Sequence, residues 1–171
     1  MTPRTSSSQI ALRALVLLGP VVAVLATGPA GNWPPWWIAG AVVGTAAAAA
    51  WAPDSPYGTA AGLVVLGWWA IALEDSLPAS ILVAALALVV AHVAALLASY
   101  GPPTMPLDSA TLVLWVRRGA LVALTVPAAW VLALLLRGEP EQPGIWLLGA
   151  ATAFAATVAA TAALAVRTGE G

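Results

Sequence analysis

The chain has 171 residues, of which 61% are hydrophobic and 8% are charged, and its mean hydropathy is +0.95. A soluble domain carries about 25% charged residues, so this chain lacks the polar side chains that a water-exposed surface needs. The composition therefore excludes an ordinary water-soluble domain and predicts an integral membrane protein. The net charge of -1 gives no reason to expect a nucleic-acid partner, and the lack of cysteine excludes disulfides and thiolate metal sites.

Hydrophobic runs separated by short turns predict the fold class, an all-α polytopic transmembrane bundle of about six helices. The runs are near the roughly 17–25 residues that a helix needs to cross the hydrocarbon core. The turns between them are rich in Pro, Gly, Asp and Glu, which end helices. The predicted helices cover residues 10–27, 36–51, 57–73, 78–99, 119–136 and 145–166.

The polar residues 1–9 are expected to form a disordered cytoplasmic segment. The run that follows could also be a signal peptide, because Arg4 and Arg13 precede a short apolar stretch that ends in the tolerable cleavage site Val24-Leu25-Ala26. A transmembrane helix is preferred, since the run is near spanning length and further apolar runs follow it.

Arginine placement predicts that both termini, including the tail at residues 167–171, lie in the cytoplasm. With six helices, only Arg137 falls on the side opposite the termini. This distribution fits the positive-inside rule. All basic residues are arginine and alanine is abundant, which indicates a GC-rich bacterial genome and hence a multi-pass protein of the cytoplasmic (inner) membrane. The arginines on the side of the termini are Arg4, Arg13, Arg117, Arg118 and Arg167.

Small residues spaced four apart predict close contacts between helices. Gly40 and Gly44 share a face of the second predicted helix, and Gly58 and Gly62 share a face of the third. Because small side chains allow backbones to approach, we expect these two helices to pack as a tight hairpin.

The nine tryptophans fall mostly where an aromatic belt at the membrane boundaries would place them. An outward-facing aromatic pocket for a lipid, quinone or sugar is the alternative. The predicted outer-boundary residues are Trp33, Trp36, Trp37 and Trp146, the inner ones are Trp51 and Trp115, and the deeper ones are Trp68, Trp69 and Trp130.

His92 is the one ionisable side chain clearly inside a predicted membrane helix, which makes it a functional candidate. A proton relay needs a second titratable group and a metal site needs further ligands, and no other His, Asp or Glu lies mid-helix. A neutral histidine that hydrogen-bonds a neighbouring carbonyl or hydroxyl is therefore favoured. One possible partner is the Val16 carbonyl, which Pro20 is expected to free as it kinks the first helix.

The stretch DSATLVLWVRRG, residues 108–119, is the sharpest signal in the chain. Asp108 or Ser109 suits a helix N-cap, and the apolar run that follows is too short to span a membrane. Residues 109–118 are expected either to lie on the inner membrane surface with a bend at Gly119 or to extend the fifth helix into the cytoplasm. An extension would expose apolar side chains unless a partner covers them, and the arginines can bind lipid phosphate. The candidate partner or lipid contacts are Leu112, Val113, Trp115, Val116, Arg117 and Arg118.

No motif for catalysis, a cofactor or a metal is present in the sequence. We therefore expect a non-catalytic subunit or assembly factor of a membrane complex, with the lipid bilayer and a membrane protein or second copy as partners and no cofactor. A small permease or channel subunit is the alternative, based on the prolines within two helices, His92 and an acidic outer rim. An enzyme acting on lipid has no supporting residues. The rim residues are Glu74, Asp75, Glu139 and Glu141.

Overall fold

The computed structural model describes residues 6–73, 76–101, 104, 108–137 and 151, and over these residues the secondary structure is helical, without a β-strand. This confirms the predicted all-α class for that part of the chain. The predicted sixth helix, residues 145–166, lies outside it except for residue 151. The α-helices are α1 (Ser7–Leu25), α2 (Trp36–Trp51), α3 (Tyr57–Ala72), α4 (Ser80–Ser99) and α5 (Ser109–Leu135).

These helices lie in one structural unit, residues 1–135, and residues 136–171 form a second. Helix α2 has the bounds that the sequence predicts, and α1, α3 and α4 have ends within one turn of the prediction. The structure therefore agrees closely with the turns that the sequence indicates between the first four helices.

Helix α1 begins earlier than predicted. The side chain of Ser6 caps it by accepting a hydrogen bond from the Gln9 backbone N–H at 3.3 Å. Gln9 is buried, so the expectation of a disordered segment through residue 9 is wrong for the residues from Ser7 onward. A capping serine supplies an acceptor for an otherwise unpaired N–H, which explains why the helix starts here.

Helix α1 lies at the centre of its unit, in contact with α2, α3 and α4. One buried apolar cluster includes Leu12 and Val16 in its N-terminal half, and a second includes Ala23, Val24 and the following Ala26. Cleavage after Ala26 would remove the α1 side chains from both clusters.

A very close contact joins α1 to α4 at Gly19. A Cβ atom added to Gly19 would lie 2.5 Å from the Ala91 Cβ and 2.7 Å from the Ala87 carbonyl oxygen. No side chain larger than hydrogen fits without moving a helix, so Gly19 sets the distance between α1 and α4.

Helices α2 and α3 pack together as predicted, but of the four glycines only Gly58 lies near the other helix. A Cβ added to Gly58 would lie 3.9 Å from the Ala49 Cβ on α2, whereas one added to Gly40, Gly44 or Gly62 would meet no atom within 4 Å. The buried residue Val42 shows why, because positions two apart on a helix point to nearly opposite sides. The α2 face that contains Val42 is buried, so Gly40 and Gly44 lie on the outside.

Three of the described helices are long and apolar enough to cross a membrane, namely α1 with its following 3₁₀ turn (Ser7–Ala30), α4 and α5. Helices α2 and α3 have 16 residues each, which gives about 24 Å against a hydrocarbon core of about 30 Å. Helix α5 has 27 residues and is about 40 Å long. The six-span topology and the side of the termini stay predictions.

Arg13 joins α1 to the end of α2. Its Nη1 donates hydrogen bonds to the carbonyl oxygens of Ala50 and Trp51, at 2.7 Å and 2.8 Å. These carbonyls lie at the C-terminal end of α2, where no following helical N–H is available and a positive charge is favourable. Arg13 therefore has a structural role besides the topological one that the sequence indicates.

Trp68 and Trp69, two of the tryptophans predicted to lie deeper than the membrane boundaries, make hydrogen bonds to α1 and the turn after it. The Trp68 Nε1 donates to the Thr27 hydroxyl at 3.1 Å, and the Trp69 Nε1 donates to the Ala23 carbonyl at 2.9 Å. The buried Thr27 hydroxyl in turn donates to the Val24 carbonyl at 2.9 Å. The exposed indoles, which a belt requires, are those of Trp33, Trp36, Trp37 and Trp51.

Candidate functional site

Helix α5 is the least covered helix of the described part, because none of its residues is buried. Asp108 caps its N-terminus by accepting a hydrogen bond from the Thr111 N–H at 3.1 Å, and the helix runs through Gly119 without a break. Residues 109–118 thus form an extension of α5. The alternative of a separate surface helix that bends at Gly119 is wrong, since Gly119 packs against α4 within a regular helix.

Two contacts fix the register of α5 against α4. The Trp115 and Tyr100 rings have centroids 5.8 Å apart at an interplanar angle of 54°. A Cβ added to Gly119 would lie 3.0 Å from the Val93 Cγ2, so the two helices approach closely there. The first turns of α5 therefore lie beside the C-terminal end of α4, a pairing that the sequence did not indicate.

The side of α5 opposite α4 is an exposed, largely apolar surface, which we call the outer face. Its residues recur at the three- and four-residue spacing of one helix face. A helix this apolar needs lipid or protein to cover it. The outer face consists of Val113, Arg117, Leu121, Leu124 and Leu132.

The predicted contact residues differ in their burial. Trp115 is half-buried and packs against the buried cluster that includes Leu97, so its role is structural as well. Leu114, which was not among the candidate contacts, is exposed and belongs with the others. The predicted contacts that the structure leaves exposed are Leu112, Val113, Val116, Arg117 and Arg118.

The two adjacent arginines have different surroundings. The Arg118 guanidinium lies 5.4 Å from the Trp115 ring centroid, in a cation–π arrangement. Arg117 lies on the outer face. Within the described residues neither arginine forms an ion pair with a carboxylate.

A cavity of about 400 Å³ lies between α4 and α5, and we call it the α4–α5 cavity. Arg118, Trp115 and His92 are among its lining residues. The remaining lining residues are apolar. They are Leu88, Val89, Val93, Leu96, Gly119 and Val122.

His92 also lines a second cavity, of about 560 Å³, which α1 to α4 and the turn after α2 form. Polar side chains on that lining include Asp54, Ser55 and Thr59. His92 is exposed and makes no hydrogen bond to any described residue, so the Val16 carbonyl is not its partner here. Among the described residues, no three His, Cys, Asp or Glu side chains are placed so that they could hold a metal ion.

Comparison of the chain with protein-family models, with curated proteins and with solved structures finds no match. What the chain does must therefore follow from its own residues. In the described part Arg118, His92 and Trp115 line one cavity, and the outer face of α5 is exposed.

Proposed function

We propose that the chain is a multi-pass protein of a bacterial cytoplasmic membrane, with six transmembrane helices and both termini in the cytoplasm. In that membrane it acts as a non-catalytic subunit or assembly factor of a larger complex. The composition and the three helices of spanning length support the location, and the arginine distribution supports the orientation.

The proposed subunit role rests on the length of α5 together with the exposure of its side chains. The part from Gly119 to Leu135 is about 25 Å long, close to the hydrocarbon thickness, and Arg117 and Arg118 precede it at the expected headgroup level. The eight residues Ser109–Val116 then extend about 12 Å farther. Lipid tails cover Leu121 and its neighbours but do not reach this extension.

Apolar side chains are nevertheless exposed on the extension. Val113 is 66% exposed and Val116 is 56% exposed, and Leu112 and Leu114 are exposed on other sides of the same turns. Such side chains at a headgroup or water boundary favour burial against a protein. The adjacent Arg117 would favour a partner that offers an acidic group beside an apolar surface.

The test is purification in a mild detergent, followed by mass measurement of the intact assembly and identification of every retained protein. Val113→Asp should remove the partner because it places a charge in the apolar contact. Ser109→Asp is the matched control, since it adds the same charge at the helix N-terminus, where a carboxylate is favourable. Trp115→Asp is a poorer probe because Trp115 supports the packing of α5 on α4.

Retention of the same partner by Val113→Asp at wild-type stoichiometry would reject the extension as the contact. The subunit role would be rejected if the wild-type chain were recovered without any other protein. Other complexes of the same membrane must stay intact under the same conditions.

A small permease or channel subunit is the second candidate, because His92 lines both cavities and α3 and α4 make little contact with each other. A path past His92 would then run along the poorly packed side of α4. Proteoliposomes that contain the purified chain should show ion or solute flux that His92→Ala abolishes. Flux that is absent, or unchanged by this substitution, would reject the permease role.

A further inference from the structure

The α4–α5 cavity combines a cation with an apolar slot. We propose that it binds one anionic phospholipid, with the phosphate on Arg118 and His92 and an acyl chain along the apolar lining. The proposal rests on the membrane location proposed above, but it needs no partner protein.

Arg118 is suited to hold the phosphate. Its guanidinium lies over the Trp115 ring, which fixes its position while the N–H groups around its edge remain able to donate. A planar guanidinium binds a phosphate through two parallel hydrogen bonds. No carboxylate among the described residues competes for this cation.

His92 provides a second polar group in the same cavity. It lies on α4, across from Arg118 on α5, and makes no hydrogen bond to a described residue. An imidazole N–H can donate to a phosphate oxygen that the guanidinium already holds. This role explains an exposed polar side chain inside a helix that is otherwise apolar.

The apolar lining favours a lipid over a free anion. The lining extends one turn to each side of His92 and Arg118, to Leu88 and Val122 in one direction and to Leu96 and Trp115 in the other. The first direction leads away from Tyr100 and the start of α5, and hence from the predicted cytoplasmic side toward the middle of the bilayer. An acyl chain that follows this direction leaves the phosphate of its lipid beside Arg118 and His92.

The electrostatics select an anionic headgroup. The cytoplasmic leaflet of a membrane is rich in anionic lipids, and each basic residue near its surface contributes to their attraction. A cavity of about 400 Å³ falls within the size range of ligand pockets and accommodates part of one lipid rather than a protein segment.

The experiment is native mass spectrometry of the delipidated full chain in detergent, titrated with phosphatidylglycerol or with phosphatidylcholine of the same acyl chains. We expect one tightly retained phosphatidylglycerol and no saturable retention of phosphatidylcholine. Arg118→Gln should weaken phosphatidylglycerol binding about tenfold or more, as expected for loss of a charge-assisted contact. Arg117→Gln removes the same charge one residue away, on the outer face, and should weaken phosphatidylglycerol binding clearly less than Arg118→Gln does.

A second variant tests the slot without changing the charge. Val89→Phe should fill the apolar part and also weaken phosphatidylglycerol binding, while an excess of inorganic phosphate should not displace the lipid.

Equal losses of phosphatidylglycerol binding for Arg117→Gln and Arg118→Gln would overturn the site in favour of diffuse charge attraction. Displacement by inorganic phosphate would show a free-anion site instead. Undiminished binding in both Arg118→Gln and Val89→Phe would overturn the proposal outright. Circular dichroism and thermal unfolding of each variant in the same detergent verify the fold, and failure of the lipid test leaves the subunit role standing.

Discussion

Helices α1 and α5 are both apolar, both contain one proline and one or more arginines, and both are long enough to span a membrane. Their surroundings nevertheless differ completely. Seven residues of α1 are buried and its Arg13 is hydrogen-bonded to α2, whereas no residue of α5 is buried. Hydropathy alone therefore cannot distinguish a central helix from a peripheral one.

The difference lies in small side chains and in polar groups that find partners. Gly19 allows α4 to approach α1, and the carbonyl of Ala23 receives an indole N–H from α3. Among the described helices, α5 has its corresponding close contact at Gly119, with α4. Substitutions in α1 should therefore affect the free energy of unfolding, whereas those on the outer face of α5 should affect binding.

The largest effect is expected from Gly19→Ala, which should lower the free energy of unfolding by about 3 kcal/mol because the new methyl group overlaps Ala91 and the Ala87 carbonyl. Gly40→Ala is the matched control, since its methyl group would meet no atom within 4 Å. Reversible unfolding in mixed micelles measures both. A difference of less than about 1 kcal/mol between the variants would contradict the close contact of α1 with α4.

Arg13→Gln should lower the free energy of unfolding by about 2 kcal/mol, since two carbonyls at the end of α2 lose a charged donor. Arg117→Gln, on the outer face of α5, should change it by less than about 0.5 kcal/mol. The same micelle assay compares them. Equal effects would mean that Arg13 acts through its charge alone and not through its contact with α2.

A smaller effect, about 1 kcal/mol, is expected from Thr27→Val, which keeps the shape of the side chain but leaves the Trp68 N–H without its acceptor. Thr45→Val is the control because the Thr45 hydroxyl bonds only carbonyls of its own helix. Chemical or thermal unfolding measures both variants. Equal free energies of unfolding would show that the hydrogen bond from Trp68 to Thr27 contributes no stability.

The sequence predicted helices well where turn residues mark their ends, as at Pro35 before α2. It did not predict which glycines form helix contacts, because Gly19 and Gly40 look alike until the buried face of each helix is known. Arg13 was read as a topology signal, since nothing local shows that its side chain reaches the end of α2.

The candidate site shows the same limit. The N-cap at Asp108 was predictable from its side chain, and so was the exposure of most residues that follow it. The sequence leaves the start of α5 open between a bend at Gly119 and an extension to Ser109, because nothing local shows that Gly119 packs against Val93. The pairing of Trp115 with Tyr100 joins residues on two helices, and no periodicity within either helix indicates it.

Thiol labelling at two positions of the outer face tests most directly whether a partner protein covers the extension, and the absence of cysteine in the chain makes it simple. Val113→Cys and Leu124→Cys would be treated with a membrane-impermeant maleimide, first as purified protein in lipid nanodiscs and then in inverted native membrane vesicles. We predict that Val113→Cys reacts readily in nanodiscs and is protected in native vesicles, and that Leu124→Cys is protected in both. Protection of Val113→Cys in nanodiscs would place the extension within the hydrocarbon, and equal labelling in both preparations would show that no partner covers it.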